Sequence, residues 1–97
     1  MEKVKTVVSI VRNNGKLLLL KRHPNTKHYP NGWSFVCGRI ESGERPIDAA
    51  YREIEEETGL RRDDLTLVKK AGVYLDVDED IGITWEINPF LFESKKR

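Results

Sequence analysis

The segment that most constrains this chain runs from Pro46 to Gly59. A proline at the first helical position needs no partner for its backbone nitrogen, and glycine readily takes the left-handed conformation that closes a helix. The spacing predicts a helix from about Pro46 to Thr58. At roughly 100° per residue, Ile47, Ala50, Tyr51, Ile54 and Thr58 fall on one side and form a stripe suited to burial. The other side carries Glu53, Glu56 and Glu57 at i, i+3 and i+4, with Ala49 projecting onto the same arc. Like charges at these spacings each destabilise a helix by about 0.2–0.5 kcal/mol. Glu56 and Glu57 also lie in the last turn, where the helix dipole favours cations. Broken local rules of this kind are expected at functional sites. The simplest compensation is a hard divalent cation held by carboxylate oxygens, Mg²⁺ before Ca²⁺ if phosphates complete the shell, and Ala49 is small enough to leave room for it. Arg52, one turn before Glu56 and beside Glu53, is placed to orient a carboxylate through two parallel hydrogen bonds, while Glu55 points elsewhere, to solvent.

For an isolated EIEEE run, a solvated acidic face is the ordinary explanation. The upstream spacing weighs against it. Gly38, five residues, Glu44, seven residues, and then Arg52-Glu53-Ile54-x-Glu56-Glu57-x-Gly59-Leu60 resembles the Nudix box at every fixed position. At average residue usage the match would arise by chance about once in a billion starting positions. The resemblance implies a Nudix fold of the α/β (α+β) class, a mixed β-sheet sandwiched by helices, over residues 1–97 as one domain. It further implies that Glu53, Glu56 and Glu57 bind Mg²⁺ or Mn²⁺, that the Gly38 carbonyl joins them, that Arg52 orients Glu53, and that Glu44 is a structural or outer-shell partner. Arg52, Glu53, Glu56 and Glu57 are thereby the catalytic candidates.

Composition sets the outer limits. Ninety-seven residues, 38% hydrophobic, suffice for one small core, and a net charge of +1 offers no broad electrostatic case for nucleic acid or an anionic membrane as partner. A single cysteine, Cys37, excludes an internal disulfide and is compatible with a reducing compartment. The N-terminal apolar run is too short for a signal peptide and no segment approaches a membrane span, so a soluble cytoplasmic protein is expected.

The flanking segments read as scaffold. Val4–Arg12 is rich in β-branched residues, Asn13-Asn14-Gly15 supplies a tight hairpin turn, and Lys16–Lys21 returns as a strand whose four leucines suggest cover on both faces. The loop from Lys21 to Gly32 brings Lys21, Arg22, His23, Lys27 and His28 near the box, where a substrate's phosphates or carboxylates would be met, or else is simply solvated. Trp33, Phe35 and Val36 form a short lead-in strand, and the resemblance implies an aromatic there that stacks on a base or ring. Arg22, Trp33, Phe35 and Arg39 are the candidate substrate-binding residues, although core packing serves Phe35 equally well. Val36-Cys37 stands where the family commonly has Pro-Gly, and Cys37 reads as a small buried thiol rather than a nucleophile.

After the helix, Leu65–Val77 is expected as a strand. Asp76, Asp78, Glu79 and Asp80 form an acidic turn before Gly82, either a solvated tip or a source of a base or metal ligand. Ile83–Phe92 pairs back, interrupted by Asn88-Pro89, which suggests an edge or a bulge. No segment remains for a C-terminal helix. That leaves a short or truncated domain, or one whose second covering layer comes from a partner chain, such as a second copy, or from a larger protein. The resemblance implies a metal-dependent hydrolase of a phosphoanhydride in a nucleoside diphosphate linked to another group. The alternatives are a nucleotide-sensing module that binds without cleaving, and a fragment of a larger Nudix protein.

Overall fold

The computed structural model describes residues 1–22 and 32–95. His23, Lys27 and His28 therefore lie outside the described residues. Strand β1, Glu2–Asn13, runs beside β8, Ile83–Ser94, in a parallel pairing that extends from Glu2 opposite Ile83 to Arg12 opposite Glu93. The outer edge of β1 takes β2, Lys16–Leu17, and β5, Val36–Arg39, while the outer edge of β8 takes β6, Leu65–Lys70, and β7, Tyr74–Asp78. All these outer pairs are antiparallel, so the sheet is mixed. Two further short strands, β3 at Leu20–Lys21 and β4 at Trp33–Ser34, form a small ribbon of their own.

The β1–β2 turn follows directly from its residues. Asn13 pairs with Lys16, leaving Asn14 and Gly15 as a two-residue loop with φ of 51° and 77°. Those left-handed values suit asparagine and glycine and match the twist of a tight hairpin. The leucine run does not continue as one strand covered on both sides. Leu17 and Leu19 are exposed, whereas Leu18 and Leu20 pack against the core, so simple alternation toward a single covered face governs the run.

The single strand expected over Leu65–Val77 is likewise two, β6 and β7, divided at Ala71-Gly72-Val73. The break answers Pro89, which stands in a central strand rather than at an edge. Pro89 cannot donate a ladder hydrogen bond. Its carbonyl accepts from the Ala71 N–H at 3.1 Å, on the side where β6 hands over to β7, so its missing donor falls where the neighbouring ladder is interrupted. A register shift between Leu67 and Lys69 puts a bulge in the partner strand β6, opposite Leu91 and Phe92, rather than at Asn88-Pro89 where the sequence suggested one. Asn88 is buried and donates to the Thr6 carbonyl at 3.0 Å, satisfying its amide inside the sheet.

The helix α1, Pro46–Thr58, packs on one face of this sheet. Ala50 and Ile54 are fully buried, with Ile47 and Tyr51 partly buried against the core formed with Val7, Val11, Val36, Phe90 and Phe92. Burying a side chain such as Ile54 or Phe92 is worth about 1.5–3 kcal/mol. The helix ends at Gly59, whose φ of 81° lets its N–H reach the Glu55 carbonyl at 2.9 Å. Ala49 is a correction. Rather than making room in an acidic shell, it is fully buried in the core, because the arc it shares with Glu53 borders the sheet. Among the described residues α1 is the one α-helix, so the expected sandwich has its layer on one face of the sheet. No described helix is long and apolar enough to cross a membrane.

The Ser9 hydroxyl is buried within this core with no hydrogen-bond partner among the described residues. An unsatisfied hydroxyl contributes a desolvation cost without a bond to offset it. Ser9→Ala is therefore expected to leave the thermal midpoint unchanged or raise it by a few degrees, whereas Phe92→Ala costs about 3–5 kcal/mol. A clear drop in the calorimetric midpoint of Ser9→Ala would contradict this assignment.

Candidate functional site

The site is built where α1 comes closest to β5. Position 38 is a glycine for a steric reason. A Cβ there would lie 2.6 Å from Glu53 Cγ and closer still to its Cδ and Oε1, so the Glu53 side chain occupies the space that any other residue would fill. Glu53 is thereby pressed between helix and strand, with its side chain only 12% exposed. Burial raises its pKa, opposed by the hydrogen bond and charge of Arg52 and reinforced by Glu56 and Glu57.

Arg52 is the hub of the carboxylates. Its Nε and Nη2 donate to the two oxygens of Glu44 at 2.8 and 3.0 Å, the paired geometry that suits a guanidinium. Nη1 donates to Glu53 Oε1 at 2.7 Å and lies 3.4 Å from both oxygens of Glu56. Nη2 also donates to the Arg39 carbonyl at 2.9 Å, and Glu41 stands 3.3 Å from Nε. Glu44 further accepts from the Glu41 N–H at 3.0 Å. Its pKa is lowered first by the Arg52 hydrogen bond and then by that N–H, while Arg52 is raised, chiefly by Glu44. One side chain thus ties the helix to the loop that follows β5. Glu41 was not legible in the sequence as a partner, because its contact depends on how that loop folds back.

Glu56 sits at the exposed margin of this hub, and Glu57 diverges from it. Glu56 is exposed and lines a groove with Asp48, Tyr51, Arg61 and Arg62. Glu57 lines a pocket of about 390 Å³ with Lys21, Arg22, Phe35 and Cys37. Among the described residues, no three acidic, histidine or cysteine side chains converge closely enough to hold one metal ion. The donor chemistry nevertheless fits a hard cation: carboxylates at i, i+3 and i+4 have Cβ atoms about 5–6 Å apart, and side-chain rotation alone would bring their oxygens together.

The substrate candidates separate. Arg22 and Phe35 line the Glu57 pocket, and Arg22 Nη1 lies 4.0 Å from Cys37 Sγ. Arg39 offers its carbonyl to Arg52, but its side chain lines a different pocket on the sheet face away from α1. Trp33 is 67% exposed on the β3–β4 ribbon and lines neither pocket. Asp76 and Asp78 belong to β7 rather than to the acidic turn, whose exposed tip is Glu79 and Asp80.

The raised pKa of Glu53 has a definite sign. Its charged form costs stability at neutral pH, and the cost is relieved as pH falls through the raised folded value. Glu44 contributes oppositely, stabilising above the ordinary carboxylate pKa and losing that contribution as pH falls through its lowered one. Glu53→Gln in chelator is accordingly expected to raise the melting temperature at pH 7, a gain that shrinks as pH falls through the raised Glu53 pKa. Gly38→Ala is expected to keep the fold by circular dichroism while displacing the Glu53 carboxylate. A lower melting temperature for Glu53→Gln at pH 7 would refute the sign.

The sequence profile of the NUDIX domain family matches residues 2–94. The 8-oxo-dGTP diphosphatase of Escherichia coli (strain K12) is 34% identical over 70 residues, covering 72% of this chain and 54% of that protein. An RNA pyrophosphohydrolase of Tolumonas auensis is 29% identical over 92 residues, covering 93% of this chain and 49% of its own. A NUDIX hydrolase from Nitrosomonas europaea superposes with a TM-score of 0.79 at 25% identity, over 96% of this chain and 60% of that one. The chain spans about half the length of the two curated relatives. With a family profile matched along almost its whole length and the box residues gathered around Arg52, the chain belongs to the Nudix family.

Proposed function

We propose that this chain is a divalent-metal-dependent hydrolase that cleaves a phosphoanhydride bond in a nucleoside diphosphate linked to another group. The observation that carries this reading is the Glu53 carboxylate seated against Gly38 and gripped by Arg52 at 2.7 Å, on a helix turn that also bears Glu56 and Glu57. The relatives named as a diphosphatase and a pyrophosphohydrolase support the same class of bond. The single Cys37 fits a cytoplasmic setting.

Glu53, Glu56 and Glu57, with the Gly38 carbonyl, would hold Mg²⁺ or Mn²⁺. When bound, such ions lower the pKa of a water and offset charge developing on phosphorus and on the leaving oxygen. The rest falls to the chain itself. Arg52, anchored by Glu44, fixes the orientation of Glu53, which would serve either as the base that takes a proton from the attacking water or as the ligand that positions that water. Lys21 and Arg22, beside Glu57, offer cations to the substrate's phosphates.

A nucleotide-sensing module is the second reading, favoured by the failure of the three carboxylates to converge among the described residues. Magnesium titration with nucleoside triphosphates, ADP-ribose and dinucleoside polyphosphates, read by chromatography, separates the two. Metal-dependent products are expected, abolished by chelation, and Glu56→Gln and Glu57→Gln each lower turnover by about 100-fold or more. Unchanged rates in both variants would sink the hydrolase assignment. Nucleotide binding without product would establish the sensor instead.

A further inference from the structure

Where β1 pairs with β5, the sheet runs β5–β1–β8–β7 and ends on β7, which is bonded to β8 alone. Every second residue of such a strand turns its N–H and C=O outward, a row of groups ready to pair with another chain. Among the described residues no hydrogen bond reaches the outer side of Tyr74–Val77. Edge strands are commonly blunted by lysine or another charge, by proline or by a bulge. The other outer strands follow that rule: β2 carries Lys16, β5 carries Arg39, and β6 carries Lys69, Lys70 and the register shift. In β7 the one charge ahead of its last residue is Asp76, and Val73, Tyr74, Leu75 and Val77 are each more than half exposed.

This edge is self-complementary in one register. With Leu75 on a twofold axis, an antiparallel second copy sets Leu75 against Leu75, Val77 against Val73, and Tyr74 against Asp76. Side chains directly opposite one another have Cβ atoms about 4.5–5.5 Å apart and share a face, so the Tyr74 hydroxyl is placed to donate to the Asp76 carboxylate across the axis. Moving the axis to Asp76 would instead oppose two carboxylates, which is destabilising.

The same register matches the charges beyond the strand. Strands β6 and β7 lie end to end against β8, with Lys70 opposite Phe90 and Tyr74 opposite Ile87. Counted along β8, Glu79 and Asp80 of the second copy arrive beside Lys70 and Lys69, and the twofold axis repeats the match at the other end. All four residues are exposed, and among the described residues none of their side chains is in an ion pair.

We propose that β7 is the surface through which two copies of this chain associate, by an antiparallel β7–β7 pairing centred on Leu75 that joins their sheets edge to edge. The partner is a second copy rather than a basic peptide, because the strand itself supplies both the phenol and the carboxylate of each pair and its flanks carry both signs of charge. The second copy extends the sheet instead of lying over the face away from α1. The inference is independent of the hydrolase reading.

The test is sedimentation equilibrium of the full chain from about 10 µM to about 1 mM, a range suited to a small interface. The mass is expected to rise from 11.2 kDa toward twice that value, and to rise less at high salt. Leu75→Lys sets two ammonium groups against each other on the axis and is expected to weaken association by about tenfold or more. Its circular dichroism and the thermal midpoint of the monomer stay unchanged, because Leu75 is exposed. Charge reversal gives an independent reading: Lys69→Glu with Lys70→Glu weakens the dimer, Glu79→Lys with Asp80→Lys weakens it as well, and all four changes together restore it. In the unaltered chain, exchange of the Tyr74–Val77 amides slows as concentration rises. A monomer throughout this range, an assembly that grows beyond two copies, or a dimer indifferent to both sets of changes would overturn the proposal.

Discussion

A carboxylate wedged between a helix and a strand is costly unless something holds it there, and the Glu53–Gly38 contact depends on Arg52 for that reason. Burial penalises the charged form of Glu53, and its pKa is raised in spite of the guanidinium beside it. Arg52 can oppose the cost because it is itself immobilised, by the paired Glu44 oxygens and by the Arg39 carbonyl. Remove Arg52 and the Glu53 charge is left buried without its complement, which is where ion pairs of this kind become expensive. The loop that follows β5, the start of α1 and its last turns are therefore fixed as one unit, although they are far apart along the chain.

The same strand serves two sides. Because β5 alternates, Val36 and Gly38 face α1 while Cys37 and Arg39 face the reverse pocket. A slip of one residue against β1 would exchange the two sets, placing a thiol under Glu53 and burying a guanidinium in the core. The pairing of Val7 with Gly38 thus determines the carboxylate site and the reverse pocket together.

What could be seen in the sequence was what depends on local spacing. The ends of α1, its buried stripe, the Asn14-Gly15 turn and the Arg52–Glu53–Glu56 grouping all follow from residues within one or two turns of each other. What could not be seen depends on partners distant in sequence. Pro89 reads as an edge signal, yet β8 is central, because the cost of its missing N–H is avoided by a break in a strand some fifteen residues earlier. Ala49 reads as part of an acidic arc, and only the closeness of α1 to the sheet shows that the arc borders the core. Asp76 reads as one member of an acidic run, since its separation from Glu79 and Asp80 requires the register of β7 against Trp85.

The acidic end of α1 is not relieved within its own last turn, which contains no basic residue. Relief comes from outside the turn. Arg52 reaches forward to Glu56, while at the opposite, first turn the 3-10 turn at Arg62–Asp64 returns Arg62 to the helix, where it bonds Asp48 at 2.6 Å and covers the Tyr51 ring at 4.2 Å. Asp48 is held from its other side by Arg45 at 2.8 Å, ahead of the first turn. These exposed pairs are individually weak in water. Together they fasten the flanks of the helix, whereas among the described residues no such ion pair holds Glu57, and a shared cation would require that carboxylate to turn toward its neighbours.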